Sequence, residues 1–298
     1  MVSVELIGGL GNQMFQYAIG RRLSLEKNTE LKLDISPFST YNVHKYELKN
    51  FNILEKFCEN AEIEEFQLLK MNHPLKKIYR SILWRLKNKK NLKFNLIKEP
   101  NFHYDDNILN NLQGNIYLSG YWQSEKNFTS IEHILREEFR PRIPLSLESK
   151  VVEKNVNDSE YESVSIHIRR GDYITNPKAN VVHGVLPLDY YHRAINLIEE
   201  RIDNPFYYIF SDDPEWVQHN LKINKKCYYV AHNGAEKSYE DMYLMSQCKH
   251  NIIANSTFSW WGAWLNNNSQ KIVIAPQKWF ATSNFNTRDL IPDSWIRL

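Results

Sequence analysis

Four stretches of this chain bring together side chains able to do chemistry. The first is His167-Ile168-Arg169-Arg170-Gly171-Asp172-Tyr173, where an apolar, β-prone run passes into two arginines, a glycine and a carboxylate. A guanidinium is a rigid fork of N–H donors that matches phosphate oxygens, and Gly171 permits a tight turn. The alternative is an ordinary surface loop in which Arg170 pairs with Asp172. The second stretch is Phe210-Ser211-Asp212-Asp213-Pro214, a strand ending in two acids and a helix-starting proline. A carboxylate there can accept two N–H bonds from a guanine edge, or it can cap the helix that Pro214 opens. The third is Ala254-Asn255-Ser256-Thr257-Phe258-Ser259-Trp260-Trp261-Gly262. Hydroxyls and free N–H groups at a helix start make an anion site, while Trp260 and Trp261 read as core. The fourth is Gly8-Gly9-Leu10-Gly11-Asn12-Gln13, which fails as a dinucleotide fingerprint because Met14 stands where a third glycine is needed. There is no P-loop and no Asp-x-Asp triplet, so the carboxylate pair that commonly holds a divalent ion in nucleotide-sugar enzymes is missing.

The elements around these stretches alternate strand and helix. Residues 2–7 form a strand, Gly8 to Asn12 a turn, and Met14, Phe15, Ala18, Ile19, Arg22 and Leu23 a helical stripe; residues 31–35 form a second strand. Further strands are expected at 162–168, 206–210, 227–230, 251–254 and 271–275, with helical stripes after Pro187 and at Tyr239, Met242 and Tyr243. This is an α/β chain with parallel sheets, whose ligands bind at loops leaving strand C-termini. Two domains are expected, 1–150 and 151–298, with residues 40–115 holding helices and weak strand signals.

Composition narrows the function. The chain has 298 residues, 42% of them hydrophobic, and a net charge of +2 that argues against a general nucleic-acid binder. No apolar run reaches the roughly 18 residues of a membrane span, and the first residues do not read as a signal peptide. Cys58, Cys227 and Cys248 are odd in number and widely spaced, so structural thiols in a cytoplasmic protein are expected, with neither disulfide nor zinc. Residues 70–98 carry ten Lys or Arg and no acid, and Leu75, Ile78, Tyr79, Ile82, Leu83 and Leu86 fall on one helical face. Such a segment can lie peripherally on an anionic membrane, with Trp84 at the headgroups, or pack that face inward. The inward packing is the simpler reading.

Taken together, the motifs resemble the family 11 α-1,2-fucosyltransferases. Residues Gly8 to Ala18, His167 to Tyr173 and Asn255 to Trp261 carry the likeness, in the family's order, with His183-Gly184 and residues 188–191 adding to it. The resemblance implies a GT-B-type fold, two Rossmann-like domains facing across a cleft, with residues 1–150 on the acceptor side. It implies transfer of L-fucose from GDP-β-L-fucose, with inversion, to the 2-hydroxyl of a β-galactoside, in surface glycan or O-antigen synthesis, with a galactose-terminated acceptor, free or lipid-linked. It places Arg169 on the β-phosphate, His167 and Asp213 on guanine or ribose, and Ser256, Thr257, Phe258 and Ser259 along the pyrophosphate. Gly11, Asn12 and Gln13 would line the cleft, with His183 on the acceptor side. Asp172 or His183 would act as base, unless Asp172 orients the arginines. Neither metal nor cofactor is expected. The rivals are a fucosyltransferase of another linkage, a Rossmann oxidoreductase and a non-catalytic sugar-binding protein.

Overall fold

In the computed structural model, residues 1–41, 43–71, 93–158, 160–282 and 285–298 are described. They divide into two compact units, Met1–Lys49 with Ile53–Glu138, and Phe139–Leu298 with Asn50–Asn52. The division thus falls at 138/139, and Phe51 joins the second unit through an antiparallel bridge to Pro141. The basic segment 70–98 lies largely outside the described residues. Its ends belong to a helix finishing at Lys70 and a strand at Phe94–Lys98.

The N-terminal unit contains β1 (Val2–Glu5), α1 (Leu10–Glu26), β2 (Leu31–Asp34), α2 (Asn60–Lys70), β3 (Phe94–Lys98), β4 (Asn115–Ser119) and α3 (Glu132–Glu138). Among the described residues its sheet has four parallel strands in the order β2-β1-β4-β3. Flanked on both sides, β1 is buried along Val2, Ser3 and Val4. The helix α1 begins at Leu10 with Gly9 as its N-cap, so Gly11 and Asn12 lie in its first turn rather than in a loop. It is buried almost all round, with Met14, Phe15, Tyr17, Ala18 and Ile19 fully enclosed, so it is a core helix without a solvent face. Gly20 lets it touch the sheet: a Cβ there would come within 2.9 Å of Leu31 and 3.1 Å of Val4. The stretch 40–115 supplies β3, and β4 begins at its last residue; sequence periodicity announces neither. β3 is a half-exposed edge strand, while in β4 Ile116, Tyr117 and Leu118 are an apolar run too short to tell from a helix turn.

The C-terminal unit contains α4 (Leu147–Val156), β5 (Glu162–Ile168), α5 (Gly171–Thr175), α6 (Pro177–His183), α7 (Leu188–Glu199), β6 (Pro205–Ser211), α8 (Pro214–Asn220), β7 (Cys227–Val230), α9 (Ser238–Gln247), β8 (His250–Ile252), α10 (Thr257–Leu265), β9 (Val273–Ala275) and β10 (Ile296–Arg297). Its strands run parallel in the order β10-β9-β8-β5-β6-β7. The α7 stripe buries Tyr190, Tyr191, Ala194, Ile195 and Ile198 in one cluster with side chains of β5, β6, β8 and β9. Trp260 and Trp261 are fully buried, and the Trp260 indole donates to the Leu290 carbonyl at 2.8 Å. All three cysteines are free thiols.

Candidate active site

From β5 the C-terminal chain moves outward through β6 and β7, then returns to lay β8, β9 and β10 on the other side. The reversal between β5 and β8 is where a doubly wound sheet leaves a crevice beyond its strand C-termini. Residues 169–170 leave β5 there, 253–256 leave β8, and Asp212 and Asp213 leave the adjacent β6. Sheet order therefore brings together three of the four stretches that could carry chemistry.

The arginines are held by acids. Arg169 Nη2 lies 2.8 Å from Asp172 Oδ1, and Nη1 lies 3.1 Å from Asp212 Oδ2. Arg170 donates its backbone N–H to Asp212 Oδ1 at 2.8 Å and its Nε to Asp213 Oδ2 at 3.0 Å. Its guanidinium sits 3.3 Å from the centroid of the Trp216 ring. Asp213 also caps α8, accepting the Trp216 N–H at 3.4 Å. The two adjacent acids thus divide their work: Asp213 caps and holds Arg170, and Asp212 bridges both arginines. It is Arg169, not Arg170, that pairs with Asp172. A Cβ on Gly171 would come within 2.5 Å of Asp212 Oδ2, so glycine is needed for the carboxylate to reach both arginines. Burial alone would lower the Arg169 pKa, but Asp212 and Asp172 outweigh it and the net shift is upward. Two guanidinium groups therefore face three carboxylates, where the sequence had suggested a bare phosphate fork.

His167, the last inward residue but one of β5, is buried, and its Nδ1 has no hydrogen-bond partner. Burial pushes its pKa down to about 4, with Arg169 acting in the same direction and Asp212 against it. Its ring lies 5.3 Å from that of Phe258. In the helix start beside it, Ser256 caps α10 by accepting the Phe258 N–H at 3.3 Å, and Ser259 donates to the carbonyls of Ala254 and Ser256. Those two hydroxyls serve the backbone, whereas Thr257 and Phe258 are partly exposed. His183 stacks on Tyr173 with ring centroids 4.8 Å apart and planes within 5°. Burial lowers its pKa too; Asp172 opposes that shift and Arg169 adds to it. Asn255, which the sequence did not single out, ties the site together. Its amide donates to the carbonyls of His183, Gly184 and Trp279, and its own carbonyl accepts the Tyr173 hydroxyl at 3.0 Å.

The remaining candidates lie in the N-terminal unit. Gln13 is fully buried; it donates to the carbonyls of Gly8 and Lys45 at 2.9 and 2.8 Å and accepts the Glu47 N–H at 2.9 Å. It is a tie between the helix start and the loop at 45–47, with no surface to offer a ligand. Asn12 is partly exposed, and its Oδ1 accepts from Gln123 at 2.8 Å. Gly11 lies buried beside them in α1. Gln16 bridges the ends of β1 and β4, accepting the Ile7 N–H at 3.0 Å and donating to the Gly120 carbonyl at 3.1 Å. Gln16 and Gln123 were not anticipated, because their partners lie about a hundred residues away.

The whole chain, residues 1–298, matches the family described as Glycosyl transferase family 11. The chain belongs to glycosyl transferase family 11. It is 36% identical to an alpha-1,2-colitosyltransferase of Escherichia coli, over 100% of this chain and 99% of that protein. It is 39% identical to the O-antigen biosynthesis glycosyltransferase WbnK of Escherichia coli, over 98% and 99% respectively. Among solved structures, FUT1 of Arabidopsis thaliana in complex with GDP is similar in fold, with a TM-score of 0.52 and 13% identity, over 91% of this chain and 69% of that one. The fold is of GT-B type, and the chain is a family 11 glycosyltransferase. Among the described residues no helix is long and apolar enough to cross a membrane.

Proposed function

We propose that this family 11 glycosyltransferase moves L-fucose from GDP-β-L-fucose to the 2-hydroxyl of a β-galactoside, with inversion, in the assembly of a surface O-antigen. The observation that carries the reading is the Arg169 guanidinium at the β5/β8 reversal, pinned by Asp172 and Asp212. As the bond from fucose C1 to the β-phosphate oxygen breaks, negative charge builds on that phosphate. A fixed guanidinium stabilises this charge without reorganising at the moment of reaction. An entering diphosphate must take Arg169 donors from at least one carboxylate, because two acids already hold both terminal nitrogens. The acceptor hydroxyl attacks C1 from the opposite face, which yields the α-L-fucoside. Its proton passes to Asp172, once released from Arg169, or to His183, which burial keeps neutral. His167 and the first turn of α10 fit the nucleotide, and the orphan His167 Nδ1 supports that assignment. The guanine contact expected of Asp213 competes with its helix cap and its ion pair to Arg170, so Asp212 is an equal candidate.

Colitose as the transferred sugar is a second reading, favoured by the full-length likeness to an alpha-1,2-colitosyltransferase. Colitose lacks the 3-hydroxyl of fucose. A site built to hydrogen-bond that hydroxyl rejects the deoxy sugar by about 10⁴–10⁵, whereas one that leaves it unbound discriminates weakly. Competing GDP-fucose against GDP-colitose with lactose as acceptor decides between them, and NMR of the product gives the linkage. No GDP release from either donor sinks the enzymatic reading, and a linkage other than 1→2 sinks the regiochemistry.

A further inference from the structure

The N-terminal unit carries a second concave site. Glu99 follows β3 and residues 120–127 follow β4, so both arms leave the same C-terminal edge of one parallel sheet. Between them lies a small open-mouthed cavity, whose lining includes Glu99, Phe102, Tyr104, Trp122, Ser124 and Asn127. Two polar side-chain atoms of this lining have no hydrogen-bond partner, Trp122 Nε1 and Ser124 Oγ. The two residues are only 3% and 1% exposed. Buried polar atoms left unpaired are costly and few in a native fold, so two in one small cavity require an explanation.

The backbone adds a second sign. Trp122 has φ of +58°, a region that bulky L-residues rarely adopt. The Glu99 carboxylate holds it there by accepting the N–H groups of Tyr121 and Trp122 at 2.7 and 2.9 Å, and Asn127 donates to the Trp122 carbonyl at 3.1 Å. Backbone held in a sparsely populated conformation collects at ligand sites. The loop is also anchored to the start of α1, through Gln123 to Asn12 and Gln16 to Gly120.

We propose that this cavity is a saccharide subsite, in which Trp122 Nε1 and Ser124 Oγ bind a hydroxyl or hydroxymethyl arm of a neutral pyranose lying across the mouth. The proposal rests on the reading of the chain as an enzyme with a saccharide acceptor. An indole N–H only donates, while a serine hydroxyl donates and accepts, and a sugar hydroxyl complements both. The enclosed space admits little more than one water-sized group, so it suits a single hydroxyl of a ring and not a whole oligosaccharide. Glu99 and Asp105 in the lining disfavour a phosphate, and the half-buried rings of Phe102 and Tyr104 suit the C–H face of a pyranose.

The test is calorimetric titration of the full chain with lactose in the presence of GDP, for wild type, Ser124→Ala and Trp122→Phe. Both variants should bind lactose about five- to tenfold more weakly, the effect of one lost hydrogen bond. Ser124→Ala should keep or raise the melting temperature, because the hydroxyl it removes has no partner within the protein. GDP affinity should not change in either variant. Absence of lactose binding by wild type, unchanged lactose affinity in both variants, or a loss that appears only together with lowered melting temperature and GDP affinity overturns the proposal. A chain that binds lactose through Ser124 yet releases no GDP from GDP-fucose sinks the proposed donor and leaves the subsite standing. One that transfers fucose and ignores both substitutions sinks the subsite alone.

Discussion

The two sheets reverse their strand order at corresponding places, between β1 and β4 in the N-terminal unit and between β5 and β8 in the C-terminal one, but the side chains at the two reversals differ in kind. At β5/β8 they are charged, with Arg169 and Arg170 shared among Asp172, Asp212 and Asp213. At β1/β4 the ties are mostly amides, Gln13, Gln16 and Gln123 holding backbone and Asn12, with a single ion pair beside them, Glu5 at the end of β1 to Lys70. Amides whose partners are backbone groups lock a loop in one geometry. Ion pairs among several competing carboxylates can be exchanged for a stronger anion. The charged reversal is therefore suited to a diphosphate and the amide reversal to a rigid frame beside a neutral ligand.

Removing the central charge should break this comparison most sharply. Arg169→Ala should lower kcat/KM by at least about 10²–10³, the usual cost of one preorganised donor to developing charge. Arg169→Lys should fail too, because a point charge cannot span Asp172, Asp212 and a phosphate together. Steady-state kinetics on GDP-fucose and lactose reads both, and retention of a tenth of wild-type activity by Arg169→Ala would remove its assigned role.

The buried histidine beside that charge should make stability pH-dependent. Folded His167 titrates near 4 and an unfolded histidine near 6.5, so the unfolded chain binds more protons between those values. Its contribution is thus complete above about pH 6.5 and is lost as pH falls toward 4, by on the order of 2–3 kcal/mol. Asp241 runs the other way: burial raises its pKa to about 7, so its folded carboxyl loses ground as pH rises through the same window. The His167 contribution is therefore the difference between wild type and His167→Gln in melting curves from pH 4 to 7. Curves that stay parallel would show that His167 does not titrate as its burial demands.

At the amide reversal the expected effect is on the fold. Gln16→Leu leaves the Ile7 N–H and the Gly120 carbonyl without their partner, at about 1–3 kcal/mol for each group left unpaired. Urea denaturation should register the loss while GDP affinity stays at the wild-type value. A variant that kept its stability and lost GDP binding would erase the distinction between the two reversals. The smallest effect is expected from chelation. With arginine supplying the positive charge and no Asp-x-Asp triplet in the chain, transfer should continue in EDTA. Complete loss restored by Mg²⁺ or Mn²⁺ would contradict the proposal that Arg169 stands in for a metal.

Much of the C-terminal unit was legible in the residues. Strands at 162–168 and 227–230 have the bounds their β-rich runs announce, because Val164, Ile166 and Ile168 alternate along the one and two tyrosines and a valine make up most of the other. The helix after Pro187 is equally plain, since its stripe meets the sheet on one side. The N-terminal unit was harder to read. Its helix α1 shows a stripe, but being buried almost all round it packs on more than that face, and its edge strand β3 is half wet and shows no clean period.

By itself the sequence determined that three strand ends would carry arginines, acids and hydroxyls, and that the paired tryptophans would be core. Local chemistry suffices for that: a guanidinium next to glycine at a strand end, a hydroxyl before a helix and an indole in an apolar run behave alike in most folds. Only the tertiary structure decided what these groups do to one another. It gave Arg169 two carboxylates, one of them 43 residues away, turned Asp213 into a cap, made Gln13 a tie and left Trp122 and Ser124 unpaired around a cavity. Partners of that kind are set by strand order, and strand order depends on which hydrophobic faces bury one another across the whole chain, a property that no short window of residues contains.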